Sequence, residues 1–126
     1  VHAMAHSLGG YLDLPHGECN SLLLEHVVAL NFDSAPEKYK NIAKSMGGVD
    51  VDSDSKETKE KLIQKIRNLR KQLAIGDYAL VEELNDDMIE KLAEGALSDP
   101  CIVTNPRMLT QNEVTTIYGE ILRKKG

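Results

Sequence analysis

Apolar residues recur at helical spacing along most of the chain. Between Gly17 and Asn31 they occur on nearly every side of the predicted helix, which is typical of a helix buried in a protein core. Between Leu62 and Leu73 four apolar residues fall at i, i+4, i+7 and i+11. They form one stripe of another helix, and we expect its basic opposite face to be solvated. No segment shows the sustained alternation of a β-strand, so the pattern favours an all-α protein.

Polar residues, proline and glycine mark where the helices begin and end. Residues able to accept a hydrogen bond from the free N–H groups of a first helical turn precede three apolar segments, at Ser34, Asn85 and Thr110. Helix ends are indicated by Gly47–Gly48, by Pro100 and by the basic segment Arg123–Lys125. Together with the other apolar segments, these signals predict one bundle-like domain of about six helices over residues 1–126.

Charge and cysteine content narrow the function classes. Fifteen Lys and Arg residues against twenty Asp and Glu give a formal net charge of -5, which supplies no basic field for nucleic acid. The longest stretch without a charged residue, Val1–Leu12, is shorter than the roughly 20 apolar residues of a membrane helix. Cys19 and Cys101 are too few for a disulfide framework. We therefore expect a soluble, cytoplasmic protein with reduced thiols and with neither a nucleic-acid nor a membrane partner.

The chain opens on Val1 and passes directly into a helical-looking apolar segment, with no capping residue in front of it. We therefore expect the natural protein to continue upstream and these residues to be an excised domain. Part of the helical core is then expected to lie uncovered, and exposed apolar patches promote association into homo-oligomers.

Three of the four histidines, His2, His6 and His16, lie near the start of the chain. On a helix, His2 and His6 are one turn apart on the same face, close enough for both imidazoles to reach one metal ion. Gly9–Gly10 and Pro15 indicate a bend that can bring His16 back toward them. Imidazole suits zinc, iron, nickel and copper. Spacing alone leaves two interpretations open: a metal site, or ordinary hydrogen-bonded histidines at a helix-packing surface.

Four segments carry a more specific signal. His2–Gly10 is followed by Leu14–Gly17, and later in the chain Ser98–Cys101 and Thr104–Arg107 precede the last helix. The first two resemble the metal-binding signature of the iron-containing (group III) alcohol dehydrogenases, and the last two resemble the C-terminal end of the same family. The resemblance spans essentially the whole chain but corresponds only to the C-terminal third of such enzymes.

The resemblance implies a dehydroquinate synthase-like C-terminal domain, helical and metal-binding, without the N-terminal nucleotide-binding α/β domain. It implies an oxidoreductase that transfers hydride between a primary alcohol or its aldehyde and a nicotinamide cofactor, NAD or NADP, with Fe(II), or zinc in its place, as Lewis acid. The implied partners are the small substrate and the protein's own nucleotide-binding domain, and this chain alone is expected to be inactive. The alternative left open is a non-catalytic helical module that self-associates or binds a partner.

Carried over position by position, the resemblance implies that His2 and His16 are metal ligands. The family's other two ligands, an aspartate and a histidine on an earlier helix, have no counterpart in this chain. His6 is implied to lie beside the metal near the nicotinamide, as a cofactor-contacting residue and a catalytic proton relay. This implication replaces the pairing of His2 with His6 that spacing suggests.

Glu25 departs from the family pattern, which commonly has proline before His26. The departure leaves the implied metal ligands unaffected and concerns the geometry of the core helix instead. His26 itself is interpreted as a structural histidine, hydrogen-bonded within the core.

Three further candidates carry less weight. Asp50, Asp52 and Asp54 alternate as in a calcium loop but lack the glycine and the final glutamate that such a loop needs, so we reject a calcium site. Cys101 has no Cys-x-x-Cys partner and no histidine nearby in sequence, which favours a role as a small apolar residue. Arg107 is expected to anchor the last helix through a carboxylate, and the alternative is that it orients a substrate group.

Overall fold

The structure, a computed structural model, describes residues 1–46 and 55–124. Within these residues it contains six α-helices: α1 His2–Leu12, α2 His16–Asn31, α3 Pro36–Met46, α4 Ser55–Gln72, α5 Asp86–Ser98 and α6 Gln111–Ile121. Two short 3₁₀ helices, Phe32–Ser34 and Pro100–Thr104, follow α2 and α5. The prediction of an all-α domain of about six helices is confirmed. None of the helices in the described part of the chain is both long and apolar enough to cross a bilayer.

Helices α1, α2, α5 and α6 enclose the main hydrophobic core. The largest side chains buried there are Met4, Leu8, Leu23, Leu92, Ile121 and Tyr118. The Tyr118 hydroxyl donates a hydrogen bond of 2.7 Å to the carbonyl oxygen of Met4. Burial raises the pKa of Tyr118, so its phenol remains protonated and remains a donor. Because Met4 lies between His2 and His6, this bond ties the segment that carries both histidines to the core.

Helices α1 and α5 approach each other closely at Gly95. A Cβ atom at this position would lie 2.6 Å from the Oγ atom of Ser7, well inside van der Waals contact. The same Oγ atom donates a hydrogen bond of 2.7 Å to the carbonyl oxygen of Leu92, one turn earlier in α5. A side chain at position 95 would therefore require the Ser7 hydroxyl to move and to give up its hydrogen bond to Leu92.

A second, smaller core joins α2, α3 and α4. Its buried members are Val28, Phe32, Ala43 and Leu62. The apolar stripe predicted on α4 continues past this cluster, but Leu69 and Leu73 are 50% and 62% exposed. The stripe is therefore only partly covered by the described residues.

The expectation of a solvated basic face on α4 is wrong at Arg70, which is buried. Its Nη2 atom lies 2.6 Å from Oε1 of buried Glu25 and 2.7 Å from the Asp77 carboxylate, and Arg67 adds a 2.8 Å contact to Oε2 of Glu25. Burial by itself raises the pKa of Glu25, but the hydrogen bonds and charges of the two arginines outweigh it and hold that pKa below its ordinary value. Helix α2 is continuous from His16 to Asn31 and includes Glu25, the position at which the resemblance implied proline.

Two short strands were not expected from the sequence. β1 Ala79–Val81 and β2 Leu122–Lys124 pair in parallel, with Ala79 opposite Leu122. The last helix therefore ends at Ile121, and the predicted basic helix end lies in the strand instead. Arg123 still reaches back, because its Nη1 atom donates to the carbonyl oxygen of Gly119 at 3.1 Å.

The predicted helix starts at Asn85 and Thr110 are confirmed. The Asn85 side chain accepts a hydrogen bond from the backbone N–H of Met88, and Thr110 forms a reciprocal capping box with Glu113. Three other interpretations lie outside the described residues: the helix stop at Gly47–Gly48, the rejected calcium loop at positions 50–54, and Lys125.

Candidate metal centre

The three N-terminal histidines converge at one end of the helix bundle. His2 and His6 lie one turn apart on α1, and His16 is the first residue of α2. The ring centroids are 5.8 Å apart for His2 and His16, 5.4 Å for His6 and His16, and 6.2 Å for His2 and His6. All three side chains belong to exposed residues, so the cluster faces outward from the bundle.

The bend that returns His16 to α1 lies later than the glycine pair suggested. Helix α1 continues through Gly9 and Gly10 to Leu12, and the chain turns at Asp13, which adopts the left-handed conformation with φ 54 and ψ 42. Pro15 then stands before the first residue of α2. A Cβ atom at Gly9 would make only ordinary van der Waals contact with the carbonyl oxygen of Leu14, at 3.4 Å.

The separations of the three rings can be compared with those of imidazoles that share a metal ion. An imidazole nitrogen binds zinc at about 2.0–2.1 Å, so two rings sharing one ion have centroids roughly 4.5–6.5 Å apart, depending on the angle at the ion. All three histidine pairs fall in this range. These separations are compatible with two of the rings sharing an ion, but they do not select a pair. Among the described residues, the three whose possible ligand atoms all lie within 4.8 Å of one another are His6, Asp99 and Cys101 rather than the three histidines.

His6 differs from the other two rings because one of its nitrogens has a protein partner. Its Nδ1 atom lies 2.9 Å from Oδ2 of Asp99, and Oδ1 of Asp99 accepts a hydrogen bond of 2.8 Å from the backbone N–H of Cys101. The Cys101 backbone bond and, after it, the His6 contact hold the pKa of Asp99 below its ordinary value. The Asp99 carboxylate is therefore ionised at neutral pH.

Cys101, for which the sequence context favoured a role as a buried small apolar residue, lies beside this pair. It is only half buried, and its Sγ atom lies within 4.8 Å of ligand atoms of both His6 and Asp99. The hydrogen bond to Asp99 raises the pKa of the Cys101 thiol, which disfavours the thiolate. The fold therefore places a histidine, His6, beside Cys101, although no histidine lies near it in the sequence.

His26 and Arg107 lie apart from the cluster, each with a carboxylate partner. The Nδ1 atom of His26 is 2.8 Å from Oε2 of Glu120, and the ring is half buried, so it joins α2 to α6 at the rim of the core. Arg107 forms a two-pronged ion pair with Glu113 in the first turn of α6, which confirms its predicted anchoring role.

A mainly apolar groove of about 600 Å³ runs from the histidine cluster along α2, α3 and α4. His2 and Cys101 contribute to its lining at the cluster. Its apolar lining includes five exposed residues: Leu24, Ile42, Met46, Leu69 and Leu73. Exposed contiguous apolar surface of this kind is typical of an interaction surface in soluble proteins.

Sequence reasoning assigned no role to Asp99, which the structure places against His6. The local signal was present, since an aspartate directly before a proline is a common start of a short helix, and Asp99 does cap the 3₁₀ helix Pro100–Thr104. The contact to His6 joins residues 93 positions apart and has no local signal.

Comparison with known proteins places this arrangement in a family. The sequence model of the Fe-containing alcohol dehydrogenase family, C-terminal, matches residues 1–122. The chain is 35% identical over 119 residues to lactaldehyde reductase of Escherichia coli (strain K12), and 36% identical over 120 residues to 1,3-propanediol dehydrogenase of Klebsiella pneumoniae. These alignments cover 94% and 95% of this chain and 31% of each relative.

The solved structure of an alcohol dehydrogenase from Oenococcus oeni superposes with a TM-score of 0.85 at 30% sequence identity. This superposition covers 95% of the chain and 31% of that structure. The chain therefore spans about a third of the length of the relatives it matches, and the matched fold is shared along almost all of it.

Proposed function

Because the chain belongs to the Fe-containing alcohol dehydrogenase family, as its C-terminal part, we propose that it is the metal-holding helical part of an alcohol dehydrogenase. The parent enzyme transfers hydride between a primary alcohol or its aldehyde and NAD or NADP. The observation that carries the proposal is the convergence of three imidazoles, one of them bonded to a carboxylate, at one end of the bundle. In this proposal the helical part is inactive by itself, because the nucleotide is bound by a part of the parent enzyme outside the matched region.

His2 and His16 are the proposed metal ligands. Their rings are free of the carboxylate contact that occupies Nδ1 of His6, and their 5.8 Å separation suits a shared ion. Imidazole accepts both iron and zinc, so either ion fits this donor set. When bound, the ion supplies Lewis-acid chemistry toward an alcohol or carbonyl oxygen, and the nicotinamide supplies the hydride chemistry.

His6 is the proposed proton carrier. Its ring stacks against His16 at 5.4 Å and its side chain is 45% exposed, so it lies beside the proposed ligands and still reaches solvent. A histidine in this position can take the proton of an alcohol at a ring nitrogen and release it to water.

The apolar groove is the proposed contact surface for the rest of the parent enzyme. The relatives are about three times as long as this chain, so most of their polypeptide lies outside the matched region. A neighbouring part of such a polypeptide, packed along Leu69 and Leu73, would cover the apolar stripe of α4 that the described residues leave exposed.

The test is an anaerobic titration of Fe(II) and of Zn(II) into the 126-residue chain, followed by calorimetry and by NMR of the histidine rings. We expect the rings of His2 and His16 to respond first. His2→Ala and His16→Ala should each lower the affinity at least about tenfold. His6→Ala should retain the metal, because His6 is not a ligand in the proposal.

His26→Ala is the matched control, since it removes an imidazole that lies outside the cluster. Its affinity should equal that of the unmodified chain. Loss of the metal from the His6 variant together with its retention in the His2 variant would overturn the ligand assignment. If no histidine ring responds to either ion, the proposal that His2 and His16 bind a metal ion in this 126-residue chain is overturned.

A further inference from the structure

The Asp99 carboxylate is held at both of its oxygen atoms. Oδ1 accepts the backbone N–H of Cys101 at 2.8 Å and so caps the 3₁₀ helix Pro100–Thr104. Oδ2 faces Nδ1 of His6 at 2.9 Å. The Asp99 side chain is only 18% exposed, and its anchored oxygen fixes the direction in which the other points. A rigid acceptor is therefore aimed at one nitrogen of His6.

An ionised carboxylate can only accept hydrogen bonds, so the proton in this contact must lie on Nδ1 of His6. In the neutral imidazole the second ring nitrogen, Nε2, is then the one without a proton. We infer that Asp99 is a positioning residue that fixes the His6 ring and selects its Nδ1–H tautomer, so that Nε2 is the nitrogen that accepts a substrate proton. This inference rests on the proposed function, because it concerns the proposed proton carrier.

The same type of contact occurs a second time in the chain, with different support. His26 also directs Nδ1 to a carboxylate, that of Glu120 at 2.8 Å. Glu120 is 54% exposed, and Nε2 of His26 lies 4.0 Å from Oε1 of buried Glu25. The His26 pair therefore provides a second histidine–carboxylate contact in the same molecule, remote from Asp99, against which changes at His6 can be compared.

Asp99→Asn makes the inference sharply testable. An amide nitrogen cannot accept a hydrogen bond, so the amide oxygen of the new side chain must take the place of Oδ1 at the Cys101 N–H. The amide NH₂ group then faces His6 and requires an unprotonated Nδ1. The tautomer of His6 should therefore invert to Nε2–H. The cap is kept, because asparagine caps helices about as well as aspartate.

The experiment is a long-range nitrogen–proton NMR spectrum of the ¹⁵N-labelled, metal-free chain at about pH 9, well above the ordinary histidine pKa of about 6.5, where neutral tautomers are observed. We expect His6 to show a protonated Nδ1 in the unmodified chain. In Asp99→Asn the signals of its two nitrogens should exchange their protonated and unprotonated positions, while the signals of His26 stay in place. Glu120→Gln is the matched control and should leave the tautomer of His6 unchanged.

Asp99→Ser provides a second variant in case Asp99→Asn fails to fold. Serine also caps a helix but does not reach His6, so both tautomers should be populated. A proton found mainly on Nε2 of His6 in the unmodified chain, or a His6 tautomer that none of the Asp99 variants changes, would overturn the inference. Because no metal is added, a failure of His2 and His16 to bind metal would refute the proposed function and leave this result standing.

Discussion

The buried ion pair between Glu25 and Arg70 offers the clearest test of how α4 is attached to the core. The two side chains are 6% and 3% exposed, and the Nη2 atom of Arg70 lies 2.6 Å from Oε1 of Glu25. Glu25→Gln keeps the size of the side chain and removes its charge. Arg70 then retains a charged partner only in Asp77, which is 47% exposed. An incompletely compensated buried guanidinium is therefore left behind.

The magnitude follows from the burial of the pair. Removing one partner of a buried ion pair costs about 3–5 kcal/mol, and the amide oxygen of glutamine restores part of this through a neutral hydrogen bond. We expect Glu25→Gln to lower the free energy of unfolding by about 2–4 kcal/mol. Arg67 contacts the same carboxylate but is 43% exposed, so Arg67→Gln should cost no more than about 1 kcal/mol.

The assay is urea denaturation at low ionic strength, because urea, unlike guanidinium, does not screen charges. Lys91→Gln is the matched control, since it breaks the exposed pair between Lys91 and Asp87 and should change the free energy of unfolding by less than about 0.5 kcal/mol. A Glu25→Gln variant as stable as the Lys91→Gln control would refute the assignment of a stabilising buried pair.

The same pair predicts how stability depends on pH. The pKa of Glu25 is lowered in the folded protein, so its contribution is complete above the ordinary carboxyl pKa of about 4.3 and is lost as the pH falls through the lowered folded value. The Glu25→Gln variant should lack this part of the acid-induced loss of stability. Its stability should therefore approach that of the unmodified chain as the pH falls.

Two further variants test the packing that positions α1, each measured by urea denaturation. Gly95→Ala should be less stable than Gly119→Ala by about 1–3 kcal/mol, because a Cβ atom at Gly95 would displace the Ser7 hydroxyl. Gly119→Ala is the control, since a Cβ atom there would enter open space. Equal stabilities of the two variants would contradict the close contact between α1 and α5. Tyr118→Phe should cost about 0.5–1.5 kcal/mol through loss of its hydrogen bond to Met4, and a variant without any cost would show that this bond is not what holds the histidine segment.

Local pattern predicted the helices because each of their signals lies within a few residues. The caps at Asn85 and Thr110 were predicted because a capping side chain bonds to an N–H group only three residues away. The strand β2 was missed because its pairing partner, Ala79–Val81, is distant in sequence. Three residues directly after a helix, two of them basic, look like a helix end unless that partner is known.

Burial of Arg70 could not be predicted for a related reason. Its neighbours on α4 are charged, and the composition of a helix face alone indicates a solvated surface. The charge of the buried side chain is compensated by Glu25, which stands on α2 where the resemblance led us to expect proline. The two departures from expectation therefore explain each other, because each buried charge would be costly without the other.

The candidate site shows the same difference between signals that are local in sequence and contacts between distant residues. Spacing alone favoured His2 with His6, the resemblance favoured His2 with His16, and the fold brings all three rings together. Asp99 and Cys101 enter the site only through the packing of α1 against the segment after α5, a contact between residues more than 90 positions apart. Chemistry that depends on which histidine nitrogen carries a proton is thus set by residues that local sequence cannot connect. The tautomer of His6 is consequently a direct measure of whether that packing performs the role inferred for it.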